Sequence, residues 1–527
     1  MNILLITGKL AQTLVQKNSQ HPKHKIHIYT ADTPIAAFLT PKKIIKDLQK
    51  QNQINLNTID IILISGLIPK NTQEITDKIG IPTFKGPTDA SDLDLILDNI
   101  ETLKLSTTKS ADQLIEEEQN KKALNEIQNF ENNTQLTQKL LKKEENILIR
   151  NLPVGKDFPM RVLAEIANAP RLTEEELTQK AQHFIDSGAD MIDIGMTAGE
   201  DLSSEIPRLI KTLRKIVGDK PLSIDTLNTN EIKTAIKHNI DLVLSLDLGN
   251  YQELLPLLKE KNTPAVLLPT NFSQHQVPQN IEERINNINK ITTECKDIPH
   301  IADLILDPIN SPSITDSIIA CKQFHQNNKA PIFFGIGNVT ELLDTDSTGV
   351  NALLTGIGME IGASILFTPE ESGKTQGSVY ELAIASKMMF LAQKRETIPK
   401  DLGIKLLLFK DKRKKEKINE IIKPTEDLPV ITASGCEKLT LDKAGHFKII
   451  INNNQIEVIH YLKMEPQLIV KGTNAHNIYQ ELLKQDIVSR KDHAAYLGSE
   501  LQKAEIALIT GKNYIQDEPL FKKPFQI

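Results

Sequence analysis

Short apolar runs alternate with longer amphipathic stretches along most of the chain, and the character of the alternation changes three times. In residues 1–105 the runs Asn2 to Thr7, Lys25 to Tyr29 and Asp60 to Ser65 are each followed by helical spacing. That pattern predicts a small, three-layer, flavodoxin-like α/β domain. Residues 106–150 turn rich in Glu, Gln, Lys and Asn with spaced leucines, and Ser106 to Glu145 holds no Gly or Pro, so this part reads as a helical connector.

Residues 151–396 carry eight strand-like runs, each followed by a helical pattern. They are MRVLAEI from Met160, DMIDIG from Asp190, PLSID from Pro221, DLVLSL from Asp241, PAVLL from Pro264, DLILD from Asp303, PIFFG from Pro331 and ASILF from Ala363. Eight alternations in this length predict a (β/α)8 TIM barrel, with a doubly wound sheet as the alternative. One helix is legible in detail: Thr173 and Glu176 form a capping box, Leu177, Ala181, Phe184 and Ile185 share a face, and Gly188 supplies the stop. Residues 397–527 open with a lysine-rich stretch, continue with a hairpin from Gly445 to His460 around Asn452, Asn453 and Asn454, and end helically. They predict a small α+β domain.

At 527 residues, with 39% hydrophobic and 25% charged positions, the composition is that of an ordinary globular protein with several domains. Lys plus Arg number 62 against 68 Asp plus Glu, a net charge of −6, which offers nucleic acid no general attraction. The basic run Lys410 to Lys417 is broken by Asp411 and Glu416 and reads as a solvated linker face. Cys295, Cys321 and Cys436 lie too far apart for a thiolate zinc site or a disulfide framework, and a reducing, cytoplasmic setting fits them. The start MNILLITGK has no basic region ahead of its apolar run, and no run approaches the ~18 apolar residues of a membrane helix. Neither a nucleic-acid nor a membrane partner is expected.

The active site of such a barrel forms at the C-terminal ends of its strands, so polar residues closing apolar runs are the candidates. They are Asn168, Asp193, Asp225, Ser245, Asp247 and Asp307, a strongly acidic set. Carboxylates converging on one mouth call for a ligand rich in N–H groups, a metal, or their own protonation. A heterocycle with an amidine-like edge would satisfy them. The bland alternative is that they cap helices, as Asp225 ahead of Thr226 and Asn228 could.

The segments AEIANAP around Asn168, GADMIDIG around Asp193, SIDT around Asp225, LSLDLGN around Asp247, LILDP around Asp307 and GIGN around Asn338 occur in order on these strands. Together they resemble the dihydropteroate synthases and the pterin-binding methyltransferases, which share a (β/α)8 barrel. The three-part chain, including SRKDHAAYLGSELQKAEIAL from Ser489, is similar to the archaeal dihydropteroate synthase-related proteins of methanogens. The resemblance implies that Asp225 and Asp307, with Asp193, hydrogen-bond a pterin. It implies that Asn168 holds a Mg²⁺ ion on a diphosphate. The family's strand-four asparagine falls near Ser245, where Asp247 could take its place, and barrels of this kind often pair as homodimers.

The chain also departs from the synthases. Their Ser-Thr-Arg loop after strand two is Met196, Thr197, Ala198, Gly199, Glu200 and Asp201 here. Their Ser-Arg-Lys after strand seven is Gly337, Asn338 and Val339, and their last Arg-His pair is Phe367 and Thr368. Three readings follow. In the first, a dihydropterin methyl diphosphate condenses with an arylamine, the ribosyl-aminobenzene phosphate of tetrahydromethanopterin synthesis, gripped by groups such as Lys374 in EESGKTQG. In the second, an N5-methyl tetrahydropterin passes its methyl group to a corrinoid protein while Asn338 polarises N5; the chain lacks a corrinoid-binding DxHxxG, so the corrinoid sits on a partner. In the third, the barrel binds a pterin without turnover.

Two further features stand outside the barrel. Gly8 and Lys9 follow the first strand without the full GxxxxGK[ST] phosphate-loop spacing, and His493 in DHAAY reads as a packed or surface histidine more readily than as a site residue.

Overall fold

A computed structural model describes residues 1–410, 431–433 and 441–521, so Cys436 and most of the run Lys410 to Lys417 lie outside the described residues. The chain forms two compact units, Met1–Lys143 with Ile384–Leu428, and Glu144–Ala383 with Pro429–Ile527.

In the first unit, β1 (Asn2–Thr7), β2 (Lys25–Thr30), β3 (Ile61–Ile64) and β4 (Thr83–Lys85) form a parallel sheet in the order β2-β1-β3-β4. Side chains alternate across it with period two. Leu4, Ile6, Ile62 and Ile64 pack on one face against Ile44, Leu48 and Ile75, and Ile3, Leu5, Ile61 and Leu63 pack on the other against Val15, Ile96 and Leu97. Each such fully buried Leu or Ile contributes about 1.5–3 kcal/mol, which makes this the three-layer α/β unit that the pattern predicts. The three-residue β4 is too short to stand out as an apolar run. Helix Ala111–Glu131 buries Ala123 and Ile127 against Phe390, Leu391, Leu402 and Ile404. Helix Ser378–Lys394 begins in the second unit, and its residues from Ile384 belong to the first.

The second unit opens with an antiparallel hairpin, β5 (Asn146–Ile149) and β6 (Leu152–Gly155), which spans the end of the stretch read as a helical connector and the start of that read as barrel. Its strands have four residues each, too few to register a period. A closed, all-parallel barrel follows: β7 (Arg161–Ile166), β8 (Met191–Gly195), β9 (Leu222–Asp225), β10 (Leu242–Leu246), β11 (Ala265–Leu267), β12 (His300–Asp303), β13 (Ile332–Phe334) and β14 (Ala363–Pro369). Closure excludes the doubly wound alternative. Ile149 and Val154 of the hairpin join Leu163, Met191, Leu242, Val266, Ile301, Phe333 and Ile365 in one core cluster inside the barrel.

The capping box at Thr173 and Glu176 is present, Leu177, Ala181 and Phe184 are buried, and Gly188 follows the helix with φ +98°. Strand six is a correction. The run from Asp303 was expected to be extended, yet β12 ends at Asp303 and the next residues turn, with Ile305 at φ +63°. A β-branched residue is strained there, and local hydrogen bonds impose the turn: the Ile305 N–H donates to Asp303 Oδ1 at 2.7 Å, and Arg284 Nη1 donates to the Leu304 and Ile305 carbonyls at 2.8 and 2.6 Å.

The C-terminal part holds an antiparallel sheet of β15 (His446–Asn452), β16 (Gln455–Leu462) and β17 (Glu465–Gly472). Asn453 and Asn454 turn the predicted hairpin with φ +48° and +56°, a left-handed pair that asparagine tolerates well. Helices Ala475–Lys484 and Lys491–Thr510 join Phe447, Ile449, Ile456 and Val458 in its core. The expected α/β class is what the chain adopts: a TIM barrel, a small α/β domain and a C-terminal α+β part. No helix among the described residues is long and apolar enough to cross a membrane.

Candidate functional site at the barrel mouth

The period-two alternation that fills the barrel also builds its mouth. Leu163 and Met191 belong to the apolar core cluster, and two residues further along the same strands stand Glu165 and Asp193, paired in register. Asp193 is in register with Ser223, and Gly195 with Asp225. Ile301 of the same core cluster likewise precedes Asp303 by two. Apolar residues thus fill the interior behind a layer of carboxylates at the C-terminal ends of the strands.

Glu165, Asp193 and Asp225 each place a carboxylate oxygen within 4.8 Å of the other two. Asp193 is fully buried; its Oδ1 accepts the Ser223 hydroxyl, and its Oδ2 has no partner. Thr197 Oγ1, just beyond β8, is also buried and unpartnered. Burial raises the Asp193 carboxyl well above the usual carboxylate range, with Asp225 and Glu165 adding repulsion. Burial carries Asp225 to about 6. Glu165 reaches about 7 through burial, then the charges of Asp225, Glu371 and Glu341. Asp303 is likewise raised by burial to about 7. Such a cluster keeps some of its protons near neutrality, so it offers both O–H donors and carboxylate acceptors.

Glu165 and Asp303 are absent from the set read from the sequence. The signal for Glu165 was a lone carboxylate in the apolar run RVLAEI; Asp303 was taken as the start of its strand, not the end.

The other predicted residues are placed differently. Asp307 is buried and paired with Arg284: Nη2 lies 2.8 Å from Oδ2, which also accepts the Ser317 hydroxyl at 2.9 Å. Asp247, expected to stand in for the strand-four asparagine near Ser245, lies past the end of β10, and its carboxylate is consumed locally. It accepts the N–H groups of Gly249 (2.8 Å), Asn250 (3.1 Å) and Phe272 (2.7 Å) and the Thr270 hydroxyl (3.3 Å). These bonds make Asp247 an anchor of the loops that follow β10 and β11. Ser245 is buried within β10. Asn168 is exposed after β7, with φ +50°. Asn338 is exposed after β13 and donates to the Leu306 carbonyl at 3.2 Å. Lys374 pairs with Asp344 at 2.8 Å.

The whole chain is 44% identical to an uncharacterised protein of Methanocaldococcus jannaschii, over 99% of both sequences. Residues 168–340 match the family model of pterin binding enzymes, and residues 441–517 match PterinBD-DUF4346. The chain belongs to the same family as that Methanocaldococcus jannaschii protein, with a pterin-binding barrel at its centre. Among solved structures it is similar to the Xanthomonas albilineans dihydropteroate synthase, at 15% identity and TM-score 0.40 over 49% of this chain and 100% of that one. A Yersinia pestis dihydropteroate synthase compares at 16% identity and TM-score 0.38, over 48% and 100% of the two chains.

In this pterin-binding barrel five cationic side chains have acidic partners. Arg171 pairs with Glu200, Lys180 with Glu371 at 3.0 Å, His183 with Glu370 at 3.0 Å, Lys374 with Asp344 and Arg284 with Asp307. The loop Glu370 to Gly377 is tied down by Glu341 Oε1, which accepts from the Glu371 and Ser372 N–H groups (3.2 and 3.4 Å) and from the Thr375 hydroxyl (2.5 Å).

Outside the barrel, His493 Nδ1 donates to Asp442 Oδ2 at 2.9 Å, and Asp442 also accepts the N–H groups of Ala444, Ser489 and Arg490. Burial works against its charge, but the Ser489 hydroxyl and these donors hold the Asp442 carboxyl well below its usual range. His493 is thereby a structural tie at the start of the last helix. Cys295 and Cys321 are buried, which pushes both thiols up to about 12 and leaves them inert.

Proposed function

We propose that this barrel binds a pterin on Glu165, Asp193 and Asp225, and that the chain is a dihydropteroate synthase-like transferase of archaeal tetrahydromethanopterin synthesis, working in the cytoplasm. The observation that carries the pterin assignment is the pair of buried, unpartnered oxygens, Asp193 Oδ2 and Thr197 Oγ1, beside the carboxylate cluster. A buried acceptor without a donor costs about 1–3 kcal/mol, and the N–H edge of a pterin supplies donors in a plane. Carboxyls that keep their protons donate in turn to the ring's acceptor atoms.

In the proposed reaction the arylamine nitrogen of ribosyl-aminobenzene phosphate attacks the CH₂ of a dihydropterin methyl diphosphate. The C–O bond breaks, diphosphate leaves, and the nitrogen gives up a proton. Glu165, poised near neutrality, is suited to take that proton. Asn168 offers one neutral, exposed oxygen, too little to hold a dication alone, so Mg²⁺ fits here as an ion delivered with the diphosphate. When bound, it neutralises charge on the leaving group.

One observation favours a second reading, methyl transfer from an N5-methyl tetrahydropterin to a corrinoid partner: the paired cations offer no free anion clamp, which methyl transfer does not need. Titration of the full chain with a dihydropterin and a tetrahydromethanopterin analogue, with and without Mg²⁺, followed by a diphosphate-release assay, separates the two. Binding with release supports condensation; binding without it moves the assignment to methyl transfer or a carrier role. Absence of binding removes the pterin assignment.

A further inference from the structure

We propose that the N-terminal α/β domain holds a second small-molecule site, for an uncharged and largely apolar ligand carrying a hydrogen-bond donor. The inference is independent of the pterin reading.

A cavity of about 700 Å³ opens at the C-terminal ends of β1 and β3, lined by residues between Leu5 and Leu93. This volume falls in the range of small-molecule sites. Its position has a topological reason. From β1 the chain moves outward to β2, then crosses back to β3 on the other side, so the connections leaving β1 and β3 run apart. In open parallel sheets a crevice forms where the winding reverses, and ligands bind there.

Bare backbone frames the crevice. A Cβ at Gly8, directly after β1, would lie 2.8 Å from Ala36 N and 2.9 Å from Pro34 O. Its absence lets the segment carrying Pro34, Ile35 and Ala36 close over the strand end as one wall. Gly66, after β3, would meet Gly86 O at 2.7 Å, so the chain beyond β4 closes as another.

The chemistry of the lining selects the ligand. Leu10, Leu14, Ala37, Leu67 and Leu93 make most of the surface aliphatic, and Ile35 and Leu67 are 41% and 55% exposed at the rim. No Lys, Arg or His lines the cavity; the nearby Lys9 is held by Asp32 at 2.5 Å. A phosphate therefore finds no counter-charge in the lining. The polar side chains of the lining are Thr7, Ser65, Thr88 and Asp89, oxygen atoms suited to receive an N–H or O–H. Asp89 Oδ1 accepts the Ser91 N–H and hydroxyl, which fixes this acidic side chain at the wall, where it disfavours an anionic ligand.

The test uses the full-length protein and two matched fluorescent probes: N-phenyl-1-naphthylamine, neutral with one N–H, and its sulfonated analogue 8-anilinonaphthalene-1-sulfonate. The neutral probe is expected to bind saturably, at least tenfold more tightly than the sulfonate. Ala37→Trp, which fills the cavity, and Leu67→Lys, which charges its exposed rim, are each expected to weaken the neutral probe at least tenfold while circular dichroism and melting stay unchanged. Leu67→Lys keeps the test decisive if the tryptophan variant does not fold. No saturable binding, equal affinity for the sulfonate, or undiminished affinity in a folded variant overturns the proposal.

Discussion

The carboxylate of Glu165 occupies the space in front of Gly195 where any other residue would place its Cβ. Because Gly195 is in register with Asp225, the missing side chain is what lets Glu165 approach Asp225 across the mouth. Gly195 has no positive φ, so alanine is conformationally acceptable there and its effect is purely steric. Gly195→Ala is expected to displace Glu165 and weaken pterin binding about tenfold, a difference of about 1.4 kcal/mol, with the barrel still folded. Calorimetric titration beside a melting curve checks it; unchanged affinity would detach Glu165 from the ligand.

The raised carboxyls make stability depend on pH in a definite direction. Glu165 and Asp225 hold their protons in the folded chain up to about 7 and about 6, whereas the unfolded chain releases them near the ordinary values of 4.5 and 3.8. Between those limits the folded state binds more protons, so stability falls as pH rises. For Glu165 the loss by pH 8 is on the order of 3 kcal/mol. Melting curves from pH 5 to pH 8 should show the fall, and Glu165→Gln, a permanently neutral isostere, should flatten much of it. A pH-independent melting temperature would contradict the buried cluster.

Asp307 and Arg284 are both buried, and removing either strands the other. Arg284 also holds the Leu304 and Ile305 carbonyls, so it fixes the turn that ends β12. Asp307→Ala should cost about 3–5 kcal/mol of stability, read by denaturant unfolding, in addition to any loss of pterin affinity. A variant as stable as the parent would show that the pair is dispensable.

Asp247 gives the converse case. Asp247→Ala strips acceptors from the N–H groups of Gly249, Asn250 and Phe272, and should lower stability by about 1–3 kcal/mol. Pterin affinity in the folded fraction should stay within about threefold of the parent. A larger loss, measured by titration at a temperature where the variant is folded, would return Asp247 to the ligand.

The barrel was legible because each strand is a short apolar run followed by a helical one, and Asp193 and Asp225 were legible because they are carboxylates at or near the ends of such runs. What escaped the sequence is position within a run. Asp303 and Asp307 both belong to one apolar stretch, and only the turn held by Arg284 decides that Asp303 closes the strand. Counting twos puts Asp247 on the same face as Ser245, but β10 ends before it and the count lapses. Glu165 carries no motif of its own; its role depends on Gly195 in the neighbouring strand. The hairpin of β5 and β6 and the strand β4 are too short for any periodicity to announce them.

That hairpin has a kinetic consequence. Ile149 and Val154 pack into the core cluster behind the carboxylate layer, and a packed barrel core leaves the C-terminal mouth as the way in. A molecule seated on Asp193 lies beneath whatever binds nearer the rim. If two substrates react here, the deeper one must enter first and its portion of the product must depart last, and steady-state kinetics should follow a compulsory order rather than a random one.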